Sequence, residues 1–305
     1  MVKLFKKLII LAFPVIIIVS IFEYNLSKIQ NSYMFKKNFL DKNAPTLQVL
    51  TLGSSHALVG INPIFFSMNG FNVADTSQSL YYDYQILNKY ADSLENLKVV
   101  IIPVSYFSLK YNFSSSVESW RENFYKKVWG LDSENKSSIN VRNFSYMALY
   151  GQIRSLFYAL KFFDVNLASN ISKTGWYRLD GKETAPDSGK ERVKYHESIM
   201  EESSFTENIN YLKKMIELAK SKGVTVVLIT TPVAPDYFDN VNSKEYNLMQ
   251  NTIKKITEEY NVKYFNYFLD KNFTPDDFFN SDHLNVEGAE KFSKILNADI
   301  NKEYK

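Results

Sequence analysis

The pattern of apolar and polar positions changes character along the chain. From Leu8 to Phe22 (LIILAFPVIIIVSIF) it is unbroken by charge, and it follows Lys3, Lys6 and Lys7. That is the basic-then-apolar order of an export signal. With Met1, Val2, Leu4 and Phe5 counted in, the run is only just long enough to cross a hydrocarbon core of about 30 Å. The EYNLSKIQNSY that follows offers no small-x-small cleavage site, which favours a retained anchor over a cleaved signal peptide. Pro14 inside such a helix is tolerated more readily in a membrane than in water. Lysines ahead of the helix predict a cytoplasmic amino end and an extracytoplasmic remainder. Residues 1–24 therefore read as a transmembrane signal-anchor, and the polar 25–45, closing on Pro45, as a stalk.

From residue 46 the pattern becomes that of a folded domain. Leu47–Leu52, Lys98–Val104 and Val224–Thr231 are short apolar runs rich in β-branched residues, suited to strands buried on both faces, and Val262–Tyr267 reads as a fourth strand. Helical stretches lie between them, at SQSLYYDYQILNKYADSL, SSFTENINYLKKMIELAKSKG and Asn247–Tyr260. In the second, Ile209, Leu212, Met215, Ile216 and Ala219 fall at helical spacing and Gly223 stops the helix. Alternation of strand and helix predicts an α/β three-layer sandwich with a central, mostly parallel sheet. About 108–203 interrupts this rhythm. It is rich in Tyr and Phe, holds Trp120, Trp129 and Trp176, and predicts a helix around Asn143–Phe163, with a polar loop or flap at 180–192. We read it as an insertion within a domain spanning 46–305.

Composition narrows the function. The net charge is +3, and three lysines and one acid lie before Asn25, so the rest is nearly neutral and no nucleic-acid surface is indicated. Cysteine is absent, which leaves oxygen or nitrogen nucleophiles for any covalent chemistry. Isolated histidines and the lack of a carboxylate cluster suggest no metal site. Neither GxxxxGK[ST] nor GxGxxG occurs, so no phosphate loop and no cofactor is expected.

Gly53-Ser54-Ser55-His56 directly follows the first predicted strand, where α/β proteins bind ligands. Alone, such a turn is more often structural than functional. Near the other end stands Asn280-Ser281-Asp282-His283-Leu284-Asn285, ahead of a helix through GAEKFSKILN. A histidine there is the partner an activated serine needs. His56 is read as supporting or structural and His196 as a surface residue.

GSSH with SDHLNVEGA resembles the SGNH (GDSL-like) hydrolase superfamily. The likeness is to its membrane-anchored branch, which includes the D-alanyl transfer protein of teichoic acid synthesis and polysaccharide O-acetyltransferases. The resemblance implies an SGNH/flavodoxin-like sheet, Ser55 as nucleophile and His283 as base. It places the acid three residues before the histidine, where this chain has Asn280. Asp282 is adjacent, and Asp276 or Asp277 could reach in, so the third member stays open. Ser77 and Ser105 fall where the family carries a glycine and an asparagine that donate to the oxyanion. The implied activity is transfer of an acyl group to, or its hydrolysis from, cell-surface glycan or teichoic-type polymer, with a membrane O-acyltransferase as partner. The rival reading is an inactive SGNH-like glycan-binding or scaffold subunit of a cell-envelope complex.

Overall fold

The computed structural model describes residues 2–134, 144–151, 165–184 and 187–304. In chain order the main elements are α1 (Val2–Leu26), α2 (Ser32–Asn43), β1 (Val49–Thr51), α3 (Ser55–Gly60), β2 (Gly70–Asn72), α4 (Leu80–Tyr90), β3 (Val99–Pro103), α5 (Tyr146–Tyr150), α6 (Gly189–Ser198), α7 (Phe205–Ser221), β4 (Thr225–Thr230), α8 (Ser243–Tyr260), β5 (Lys263–Asn266) and α9 (Val286–Tyr304). They divide into two compact units, residues 1–35 with 120–169 and residues 36–119 with 170–305.

The larger unit is built on the predicted β-branched runs. Its five strands are all parallel, in the order β2-β1-β3-β4-β5. This is the doubly wound order in which ligands sit beyond the carboxyl ends of the strands. Strand β2 is the addition: Gly-Phe-Asn is too short to show a period, and Phe71 is fully buried on it. Val49, Val99, Ile101, Val227 and Ile229 form one core with Ala57 and Leu58 of α3, Ile61 just after it, and Ala289, Phe292, Leu296 and Ile300 of α9. Alternate residues Leu50, Val100, Ile102 and Leu228 are equally buried and point to the opposite face; α7 packs on β4 and on α4. Trp176 joins the first core and donates from Nε1 to the Val59 carbonyl at 2.5 Å.

Part of the expected stalk is helix α2. Lys36, Leu40 and Ala44 are buried along it, and Phe39 stacks on Phe71 at 3.9 Å between centroids. A lysine within the buried stripe hides the helical period from a reading of hydropathy.

In the smaller unit, the Glu23 carboxylate near the end of α1 accepts from the main-chain N–H groups of Tyr146 (2.7 Å) and Met147 (3.1 Å), and from the Ser145 hydroxyl. A carboxylate there satisfies N–H groups that the start of α5 leaves free. Asn31 donates to the Tyr150 hydroxyl, and Tyr33 stacks on Phe124 at 4.8 Å. Residues 120–169 of the expected insertion thus group with the amino-terminal helix. Of the helix predicted at Asn143–Phe163, α5 is seen; Asn143 and 152–163 lie outside the described residues.

Among the described residues no helix is long and apolar enough to cross a membrane, so the transmembrane signal-anchor expected within residues 1–24 has no support there. The uncharged run rises roughly 22 Å as a helix, short of a core of about 30 Å. Helix α1 contains that run and Pro14, and its apolar side chains stand largely exposed, Ile10 at 72% and Leu11 at 74%.

Candidate active site

Strand β1 ends at Thr51, and the chain turns through Gly53, whose φ of +114° favours glycine. A Cβ there would meet Pro103 and Ala57 at 3.0–3.2 Å. The turn delivers Ser55 as the first residue of α3, where the main-chain N–H has no intrahelical partner. The side chain of Asp83 holds the turn from behind: one oxygen accepts from Gly53 N–H at 2.8 Å and from Gln78 Nε2 at 2.6 Å.

His283 reaches Ser55 across 228 positions of sequence, its Nε2 lying 2.9 Å from Ser55 Oγ. Its backbone is fixed by Phe279 N–H donating to its carbonyl at 2.8 Å and by the Phe278–Leu284 bridge. Asn280 Oδ1 stands 3.0 Å from His283 Nδ1 and also accepts from the main-chain N–H of His283. The amide orientation follows from its other end, where Nδ2 donates to Glu183 at 2.9 Å. An Asn280 oxygen facing Nδ1 selects the Nδ1–H tautomer, leaving Nε2 free to accept the serine proton.

Asp282 is the centre of a buried network. It is 1% exposed, and all three histidines of the chain converge on it. Its oxygens lie 3.3 Å from His283 Nδ1, 3.1 Å from His56 Nε2 and 3.6 Å from His196 Nε2. Arg192 donates to both of them, from Nε at 3.0 Å and Nη2 at 2.7 Å. Burial alone would raise the carboxyl; its contacts with His283, His56 and His196 hold it well below the usual range. His56 and His196 are pushed down by burial, against the pull of Asp282, and stay neutral. With its Nε2–H on Asp282, His56 accepts from Ser105 Oγ at Nδ1, 3.0 Å away.

Several expectations change here. Ser105 is buried on His56 and does not border the cleft, so its hydroxyl is not presented as an oxyanion donor. His196 is not a surface residue: it is 3% exposed, with Nδ1 2.6 Å from the Tyr237 hydroxyl. Asp277 is taken up by Thr274 and Lys291, and Asp276 by Lys182; neither contacts His283. Arg192 was hidden in the expected flap, although Ser188 and Glu191 form a capping box there. That signature marks a helix start and puts Arg192 and His196 at i and i+4 on one face.

Ser55, Ser77, Asn280 and His283 border one cleft of about 620 Å³, with Phe107, Tyr111, Tyr177, Tyr195 and Phe279 among its walls. Ser77 is a non-glycine residue with φ of +57°, a conformation that costs an L-residue energy and needs support from its surroundings.

His56, Asp282 and His283 offer ligand atoms within 4.8 Å of one another, close enough for a metal. Arg192 occupies both Asp282 oxygens, and the remaining nitrogens of the two histidines are bonded to Ser105 and Ser55. A cation would have to displace the guanidinium. The donor set fits a hydrogen-bonded network instead.

A pH effect follows at Asp83. Burial raises its carboxyl to about 7, against the hydrogen bonds from Gln78 and Gly53. Its unfolded value is about 3.9. The unfolded state therefore releases this proton first, and stability is lost as pH rises from about 4 to about 7. Urea unfolding at pH 5 and pH 7.5 should show a decline in the wild type, of order a few kcal/mol, that Asp83→Asn largely removes. Equal declines in both proteins would show that Asp83 does not titrate in this window.

The sheet order and the site together define a doubly wound α/β protein with a hydrogen-bonded serine–histidine pair at the carboxyl end of β1. Residues 185–298 match a family described as a protein of unknown function, DUF1574, which takes in Arg192, Asn280, Asp282 and His283 but not Ser55. Solved structures similar to the chain include a GDSL-like lipase from Bacteroides thetaiotaomicron (13% identity, 89% of this chain and 98% of that one, TM-score 0.40). A lipase/acylhydrolase from Enterococcus faecalis aligns at 12% identity over 84% of this chain and 97% of its own, TM-score 0.41. A psychrotrophic esterase from Pseudoalteromonas sp. aligns at 11% over 84% and 97%, TM-score 0.42. No curated protein matches the sequence.

Proposed function

We propose that the protein is a serine esterase or O-acyltransferase, with Ser55 as nucleophile and His283 as general base. The observation that carries this is the contact of 2.9 Å between Ser55 Oγ and His283 Nε2, with Nδ1 held by Asn280. His283 takes the serine proton as Oγ attacks the ester carbonyl carbon. The tetrahedral oxyanion faces the main-chain N–H groups of Ser55 and Ser77. Its collapse breaks the ester bond, and His283 returns the proton to the departing alcohol. A second hydroxyl, from a sugar or from water, then gives its proton to His283 and takes the acyl group. Asp282 supplies the negative charge near His283 that Asn280 lacks.

The substrate we propose is acylated cell-surface glycan or teichoic-type polymer. Tyr111, Tyr177 and Tyr195 in the cleft walls suit a sugar, since aromatic rings present an apolar face with a polar tip. The resemblance of GSSH and SDHLNVEGA to the anchored SGNH branch adds a membrane O-acyltransferase as donor partner. The basic start and exposed apolar side chains of α1 support attachment to the membrane with the catalytic unit outside the cytoplasm. An inactive scaffold is disfavoured by the intact Ser55–His283 contact.

Incubation of the full chain with a p-nitrophenyl acetate donor should leave an acetyl group on the Ser55 peptide by mass spectrometry, released faster when an oligosaccharide acceptor is added. Acetylation elsewhere, or none, would count against the reading. Carbonate washing of cell membranes checks attachment: the chain should stay with the lipid.

A further inference from the structure

A buried lysine stands behind the turn that carries Ser77. Lys36 is completely buried, and its Nζ donates to the carbonyl of Ala74. Asp75, the charged group that faces it, lies 3.9 Å away. Asp75 Oδ1 accepts from Thr76 N–H at 2.8 Å, and the Asp75 carbonyl from Gln78 N–H at 3.1 Å. The Asp75 N–H donates to the Gly53 carbonyl at 3.2 Å. The turn from Ala74 to Gln78 is thus fastened to the nucleophile turn on one side and to Lys36 on the other. Between these fastenings Ser77 is held in the left-handed region at the edge of the cleft.

Packing alone does not call for a lysine at this position. An unbranched apolar side chain such as methionine would fill the space without desolvating a charge. A charged donor adds what methionine cannot, a charge-assisted hydrogen bond to a main-chain carbonyl of the turn.

Resting on the serine acyl-transfer reading above, we infer that Lys36 is a positioning residue: its ammonium group holds the Ala74–Gln78 turn so that the Ser77 N–H faces the oxyanion formed at Ser55. Burial lowers its pKa to about 8, partly offset by Asp75. The hydrogen bond is therefore charge-assisted at neutral pH and weakens as pH rises through about 8. Asp83, which braces Gly53 and Gln78 from the other side, titrates at about 7, and its share is read separately in Asp83→Asn.

The test is the acylation rate of the full chain with an activated ester from pH 6 to 10. It is measured for wild type, Asp83→Asn, Lys36→Met and Lys36→Met/Asp75→Asn, with Ser55→Ala as blank. The double variant leaves no unpaired carboxylate where the single one does. Wild type and Asp83→Asn should lose threefold or more of their rate as pH passes 8. The double variant should melt no lower than wild type, acylate at least tenfold more slowly at pH 7 with KM within twofold, and show no decline near pH 8. A folded double variant with the wild-type rate would overturn the inference, as would a wild-type profile flat from pH 7 to 10. Wild type that fails to acylate above the Ser55→Ala blank at any pH would instead overturn the serine reading itself, and the inference with it.

Discussion

Ser55→Ala and His283→Ala should each lower ester turnover by about 10⁴-fold or more, and the two together by little more than either alone. In the proposed mechanism the pair acts as one unit. A serine hydroxyl is a poor nucleophile until a base within hydrogen-bond reach takes its proton, and His283 Nε2 is 2.9 Å from Oγ. Removing the hydroxyl removes the attacking atom; removing the imidazole leaves the hydroxyl protonated. Labelling by a fluorophosphonate probe reads the same property without knowledge of the natural substrate. Wild type should label, and both variants should not, with circular dichroism unchanged. Ser55 is partly exposed at the edge of a cleft, so its truncation creates no core cavity and the fold should survive. Undiminished turnover in a folded Ser55→Ala protein would remove the serine from the mechanism.

The second large effect is expected at Asp282. Two groups face His283 Nδ1, the neutral Asn280 oxygen at 3.0 Å and the charged Asp282 oxygen at 3.3 Å. An amide oxygen can orient the ring, but only the carboxylate stabilises the imidazolium that forms as Ser55 attacks. Asp282→Asn should therefore reduce kcat by about 10²- to 10⁴-fold, with KM little changed, because the lost interaction develops in the transition state. Asn280→Ala should cost less, since Asp282 keeps both its charge and its reach. Asn280→Asp adds a second carboxylate at Nδ1, favours the protonated ring and should move the acidic limb of the pH–rate profile upward. Asp282→Asn also leaves Arg192 without its carboxylate, and breaking such a buried pair costs about 3–5 kcal/mol. Stability must therefore be measured alongside rate. Full activity in a folded Asp282→Asn protein would show that Asn280 suffices and that Asp282 serves only to hold Arg192 and the histidines in place.

Legibility differed from element to element for identifiable reasons. Strands β1, β3 and β4 announce themselves as β-branched runs because a central parallel strand is buried on both faces; β5, Lys-Tyr-Phe-Asn at the sheet edge, is only partly covered. Helix α7 is legible because its buried residues Leu212, Met215, Ile216 and Ala219 keep a helical period. Helix α2 breaks that rule, since Lys36 occupies a fully buried position. Ser55 and His283 were found through the short blocks around them, Gly53-Ser54-Ser55 after a strand and Asp282-His283 ahead of a helix. Helix α6 could have been read from the Ser188–Glu191 capping box, yet its polar composition suggested a flap.

The sequence by itself therefore determined the strand-and-helix alternation, the parallel sheet and the two residues of the serine–histidine pair. Each is written within a window of a few residues, as a burial period or a turn requirement. Tertiary structure alone decided the surroundings of that pair. His56 lies 226 positions from Asp282, Arg192 lies 90, and the Lys36–Ala74 contact spans 38. Hydrogen bonds of this kind join side chains with no common period, and they exist only once the sheet order has brought the ends of β1 and β2 and the loop before α9 to one side of the sheet. The same carboxylate would be an ordinary solvated aspartate on an exposed loop. Enclosed with an arginine and three imidazoles, Asp282 stays ionised because every alternative leaves a buried charge without a partner.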